Sequence, residues 1–139
     1  MITRLQEREI KAYFTHQPVE LVYLFGSQAT GKTTPLSDYD FAVLFKKNLE
    51  KGKRFDLRLK YMGDLGIILK SDEIEVLDLN SASLSFRYAA IAPRHDLYVA
   101  DEKKRALFEA ETTSLYFDEV YFLKQNTFYS LPSIAKTAV

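Results

Sequence analysis

The feature that most narrows the fold is a strand-sized apolar run that stops on Gly26 and Ser27 and is followed, after ten intervening residues, by Asp38, Tyr39 and Asp40 at the head of a second such run. Val19–Phe25 is apolar or aromatic at every position but Glu20, and its length suits a buried strand. Residues 26–37 are small and polar, with Gly31, Pro35 and several Thr, and read as a loop. Residues 40–45 give a second strand. Side chains two apart on a strand point the same way, so Asp38 and Asp40 can present two carboxylates to one point in space. Such a pair is costly unless a cation lies between them, and Mg²⁺ accepts oxygen ligands of this kind together with substrate phosphates.

The rest of the chain supplies helices to cover those strands. Residues 3–17 read as an amphipathic helix carrying Leu5, Ile10, Tyr13 and Phe14, closed by Pro18. In 53–70, Phe55, Leu59, Met62, Leu65 or Gly66, and Leu69 recur at three- and four-residue steps, which predicts a helix packed on one face of a sheet. Residues 74–79 give a third strand, 80–92 a turn through a short helix, and 96–100 a short strand. A last helix is expected over 102–124. No internal repeat or linker interrupts this order, so the expectation is one α/β (α+β) domain, a mixed sheet flanked by helices, over 1–126, with a Thr- and Ser-rich tail over 127–139.

Composition limits what such a domain can do. At 139 residues it is the size of one ordinary domain, with no room for a second that binds a bulky substrate. Nineteen basic and nineteen acidic residues cancel, so no global field holds a nucleic-acid backbone or an anionic membrane, and direct nucleic-acid binding is not expected. The absence of cysteine removes thiolate metal sites and disulfides, and no stretch is apolar enough to span a bilayer or act as a secretory h-region. A cytoplasmic location is the expectation.

The candidate site extends beyond the two aspartates. Glu75, on the third strand, can come alongside as a third carboxylate, with Asp78 its competitor; three such groups can hold one or two metals and assist deprotonation of an acceptor hydroxyl. Gly26 lets backbone approach a phosphate closely, and the Ser27 hydroxyl can bond to it. At average residue usage the pattern Gly-Ser, ten residues, Asp-x-Asp arises by chance in a chain this long on the order of once in a thousand. Gly26, Gly31, Lys32 and Thr33 also satisfy the P-loop pattern, which requires a helix directly after it. Pro35 and the Asp38 triplet arrive too soon for one. His16 and His95 read as surface residues at a helix end and in a loop; Arg87 and Tyr88 could contact a nucleotide or partner, and an ordinary surface helix explains them as well. In the last helix Phe108, Leu115 and Phe122 form one stripe, Tyr116, Val120 and Leu123 widen it, and Phe117 and Tyr121 lie elsewhere; one side is expected to meet the core and another a partner subunit.

Leu24, Phe25, Gly26 and Ser27 through Asp38, Tyr39 and Asp40 resemble the signature of the DNA polymerase β-like nucleotidyltransferases. The order of elements is similar to the minimal branch of that superfamily, the antitoxin partners of HEPN-domain toxins. The resemblance implies a Mg²⁺-dependent enzyme that transfers AMP from ATP to a tyrosine of its partner, a HEPN ribonuclease, and so silences it within a hetero-oligomer. It implies phosphate binding by Gly26 and Ser27 and metal binding by Asp38 and Asp40. Glu75 stands where the family usually carries its third catalytic carboxylate as Asp, and Gln28 where the family often has Arg. Two other readings are an antitoxin that inhibits by binding alone and a small-molecule nucleotidyltransferase of the aminoglycoside-modifying type.

Overall fold

The computed structural model describes residues 2–25, 39–91 and 94–138, with side chains to 126. Thr3 starts the first helix, α1 (Arg4–Thr15): its hydroxyl accepts from the Gln6 amide at 3.1 Å while Gln6 Oε1 accepts from the Thr3 amide at 2.9 Å, a reciprocal capping box. Strand β1 (Val19–Phe25) follows, and β2 (Tyr39–Phe45) pairs antiparallel with it. Helix α2 (Lys51–Leu69) ends on Lys70 in the left-handed region, φ 54°, and leads to β3 (Ile74–Asp78), which pairs parallel with β2. Helix α3 (Leu84–Ile91), strand β4 (His95–Val99) and the long helix α4 (Glu102–Ala138) complete the described chain. The sheet order is β3-β2-β1-β4, with β4 antiparallel to β1.

Alternation along the central strands sends side chains to both faces, and helices cover each. Val22, Leu24, Phe41, Val43, Phe45 and Val76 join Ile10 and Phe14 of α1 and Tyr61, Leu65 and Leu69 of α2 in one cluster. Tyr61 is its centre. The ring meets Phe14 edge-on at 5.1 Å, stacks near Phe45 at 6.0 Å, and its hydroxyl donates to Gln17 at 3.1 Å. Leu21, Tyr23, Ala42 and Leu79 form the second cluster with Ala90 and Ile91 of α3, and Phe108 of α4 packs against it. β1 and β2, central in the sheet, are therefore buried on both faces.

Three helical expectations need correction. Leu5 is exposed, because the inward side of α1 carries Glu7, Ile10 and Phe14 instead. On α2, Phe55 and Leu59 face solvent at 53% exposure each. The inward positions of its first turns are taken by Arg54 and Arg58, which bond to Asp78 and to the Val76 carbonyl of β3, and Tyr61 and Leu65 continue that stripe. A helix that begins against a polar strand edge has its apolar stripe displaced from the one that spacing alone selects. Last, α4 does not stop near Lys124 but continues to Ala138, so 127–138, expected as a tail, is helical. No glycine occurs there, and Pro132 lies within the helix without ending it.

Candidate active site

Asp40 lies one residue inside β2 and is paired on both sides. Its partner on β1 is Phe25, the last residue of that strand, and its partner on β3 is Glu75. Tyr39 and Phe41, its neighbours in sequence, turn toward the α1/α2 cluster, and Ala42, two residues on, belongs to the α3/α4 cluster. Asp40 therefore faces the α3/α4 side. On β3, Ile74 and Val76 belong to the α1/α2 cluster and Leu77 to the opposite one, so Glu75 faces the same side as Asp40. Register partners on adjacent strands stand about 5 Å apart, so the two carboxylates leave neighbouring backbone positions on one face.

Three other expected site residues, Gly26, Ser27 and Asp38, lie outside the described residues. The chain leaves β1 at Phe25 and enters β2 at Tyr39, the two residues that flank the Asp40 register position. Among the described residues no three Asp, Glu, His or Cys side chains converge. The oxygen donors available at Asp40 and Glu75 are of the hard type that suits Mg²⁺ rather than a softer, nitrogen- or sulfur-seeking ion.

The two candidates for the third carboxylate have separate environments. Glu75 is 59% exposed, and its nearest cationic group is Arg58, with Nη2 3.7 Å from Oε1. Arg58 is anchored beside it by a 2.7 Å bond from Nε to the Val76 carbonyl on the outer edge of the sheet. Asp78 has the parity of Val76, on the other face. Its carboxylate is 11% exposed, accepts from Arg54 Nε at 2.9 Å, and accepts from the Asn80 amide at 2.9 Å. Arg54 in turn donates to the Leu49 carbonyl and the Ser81 hydroxyl. Asp78 thus ties α2, β3 and the turn after β3 together.

His16 caps α1 at the surface, and His95 bonds Glu7 across 3.1 Å, a contact that holds the Glu7 carboxyl below its ordinary range. The P-loop pattern lies outside the described residues, apart from its context: only residues 34–38 separate Thr33 from β2, and β2 runs antiparallel to β1, whereas a P-loop strand leads through a helix into a parallel neighbour.

Sequence reasoning missed two groups. Arg58 gave no signal, since a cation on the outward half of a helix pattern is unremarkable. The other is a polar network beneath the α3/α4 face. The Tyr23 hydroxyl donates to Glu109 Oε2 at 2.6 Å, Arg94 and Arg105 each reach Glu109 within 2.9 Å, and Arg94 also holds Asp96 at 2.7 Å. Burial, followed by the Glu109 contact, pushes the Tyr23 phenol well above its ordinary range. Tyr88 stacks flat on Tyr116 at 4.0 Å, joining α3 to α4, and the buried Arg87 Nε beside it has no hydrogen-bond partner among the described residues.

Comparison with known proteins identifies the family. The family described as "Polymerase beta, Nucleotidyltransferase" matches residues 8–103. A protein adenylyltransferase MntA of Shewanella oneidensis is 33% identical over 98 residues, which cover 70% of this chain and 66% of that protein. The chain thus spans less than two thirds of the length of the curated relatives it matches. Among solved structures, a toxin–antitoxin with AMP-PNP aligns over 93% of this chain and 98% of its own, with 26% identity and a TM-score of 0.66. A tri-AMPylated Shewanella oneidensis HEPN toxin in complex with MNT antitoxin aligns over 92% and 97%, with 26% identity and a TM-score of 0.63. With its matched region covering all four described strands and the Asp40–Glu75 pair, the chain belongs to the polymerase β-type nucleotidyltransferase family.

Proposed function

We propose that the chain is a protein adenylyltransferase that moves AMP from ATP to a hydroxyl, that of a tyrosine, on a partner HEPN toxin, and so acts as its antitoxin. The observation that carries the reading is the register pairing of Asp40 with Glu75 on one face of the sheet, at the end where β1 stops and β2 begins. Family membership and the similarity to a named MntA adenylyltransferase and to toxin–antitoxin complexes, one with an ATP analogue and one with an AMPylated toxin, support the same reaction.

In this reading Gly26 admits the triphosphate close to backbone, and the Ser27 hydroxyl donates to a phosphate oxygen. Asp38, Asp40 and Glu75 supply oxygen ligands for Mg²⁺. Bound there, Mg²⁺ would neutralise charge on the triphosphate. The acceptor oxygen attacks the α-phosphorus in line, its proton passes to the Glu75 carboxylate, and the bond to the β-phosphate oxygen breaks to release pyrophosphate. Positioning and charge neutralisation account for most of the acceleration.

The test is the intact mass of both chains after incubation of the chain and its HEPN partner with Mg²⁺ and each nucleoside triphosphate. AMP increments on the partner, absent with Asp38→Ala/Asp40→Ala, are the expected result. A stable complex without mass change under any nucleotide would instead establish inhibition by binding. Turnover of a small hydroxylated acceptor, with none on the partner, would establish the small-molecule enzyme.

A further inference from the structure

Helix α4 runs off the sheet at its catalytic end. Two contacts fix its direction: Lys104 meets Glu20 at 3.2 Å, and Glu109 meets the Tyr23 hydroxyl at 2.6 Å, so α4 advances along β1 toward Phe25 and the Asp40 register position. Asp40 lies two residues beyond Tyr23 along that line, or about 7 Å, whereas Leu123 lies fourteen residues beyond Glu109, or about 21 Å. Burial along the helix follows this overhang. Phe108 packs on the sheet cluster, Thr112 is 1% exposed and Tyr116 is half-buried against Tyr88 of α3, but Leu115 at the margin of that side and Leu123 farther along it are more than half exposed.

The outward face is also apolar. Leu107, Tyr121 and Phe122 are each 60–67% exposed, and Phe117, whose ring meets Tyr88 of α3 edge-on at 5.7 Å, is 55% exposed. Glu111 and Asp118 sit between them in the helical projection, and neither forms an ion pair among the described residues. Beside them Ala110, Glu111, Ser114 and Leu115 line an open depression of about 500 Å³. Half-exposed aromatic and leucine side chains of this number present on the order of 500 Å², most of the roughly 800 Å² that one partner contributes to a stable complex. A second copy of the chain is disfavoured as the occupant: an isologous contact would set Glu111 and Asp118 against the same residues of its mate.

We propose that α4 is a docking arm for the acceptor protein, whose contact surface is apolar with basic residues placed to meet Glu111 and Asp118. The arm holds that protein beside the end of the sheet from which Asp40 and Glu75 project, and so raises the local concentration of its acceptor hydroxyl. The inference rests on the reading that the acceptor is a protein.

The experiment compares wild type, Leu115→Glu/Phe122→Glu and Glu111→Lys/Asp118→Lys, as full chains, against the HEPN partner. Calorimetry reads the affinity for the partner, titration with an ATP analogue and Mg²⁺ reads nucleotide binding, and a thermal melt checks the fold. The apolar variant should lose on the order of 100-fold in partner affinity and the charge-reversal variant about tenfold, with nucleotide affinity and melting unchanged. Affinity within twofold of wild type in both variants overturns the docking arm, as does a wild-type homodimer that the variants dissolve. A wild-type chain that binds the partner but transfers no AMP sinks the transferase reading alone, since the affinity comparison still decides the docking surface.

Discussion

Glu75 and Asp78 lie on the same strand three residues apart, and replacing each by alanine should have opposite consequences. Asp78 and Arg54 are 11% and 15% exposed, and their contact is 2.9 Å. Removing one partner of a pair this buried costs about 3–5 kcal/mol. Arg54 keeps its bonds to Leu49 and Ser81, which favours the low end, and the lost bond to the Asn80 amide adds about 1 kcal/mol. Asp78→Ala should therefore lose about 4 kcal/mol and melt roughly 10–15 °C lower for a domain of this size. Glu75 is 59% exposed, with Arg58 at 3.7 Å, so Glu75→Ala should change stability by less than about 0.5 kcal/mol. Its effect is on transfer, with a loss of at least about 100-fold as expected for removal of a positioned base. Differential scanning fluorimetry and a single-turnover AMP-transfer assay below the melting point of the weaker variant separate the two. Comparable melting of both variants, or full transfer by Glu75→Ala, would refute the assignment of one carboxylate to the fold and the other to the reaction.

Three further outcomes can be checked by equilibrium denaturation. Gly66→Ala places a methyl 2.8 Å from the Ser71 carbonyl and should cost about 1–3 kcal/mol, whereas Gly63→Ala meets nothing within 4 Å and should gain roughly 0.5–1 kcal/mol of helix stability. Tyr23→Phe strips the donor from Glu109 and should cost about 1.5–3 kcal/mol, as for a hydrogen bond to a charged group. The lowered Glu7 carboxyl, held mainly by His95, contributes stability that is present above its ordinary value of 4.5 and lost as pH falls below it; Glu7→Gln should flatten that acid limb of a stability-against-pH series, and an unaltered limb would refute the contact.

The strands were legible because β1 and β2 are covered on both faces and so appear as nearly continuous apolar runs, with the polar segment between them marking their ends. Glu75 was legible as a candidate by alternation along its strand, yet alternation alone could not rank it against Asp78. The proposal of Glu75 over Asp78 rests on the parallel register of β3 with β2 and the commitment of Asp78 to Arg54, both long-range facts. Phe55 and Leu59 misled because helical spacing records where apolar residues fall but not which neighbour the helix begins against; here it is a strand edge that accepts guanidinium bonds. The extent of α4 was hidden for a related reason: Thr, Ser and small residues suggested a tail, yet the helix runs on through them and through Pro132.

The bond from Arg58 to the Val76 carbonyl has a consequence for solubility. β3 is an outer strand of the sheet, and an uncovered strand edge offers its amides and carbonyls to any extended chain that drifts past. Only five residues long, and with one carbonyl occupied by a guanidinium and the exposed Glu75 carboxylate beside it, β3 is a poor template for an intruding strand. The strand that carries a candidate reactive carboxylate is thereby kept from becoming the seam along which copies of the chain stick together.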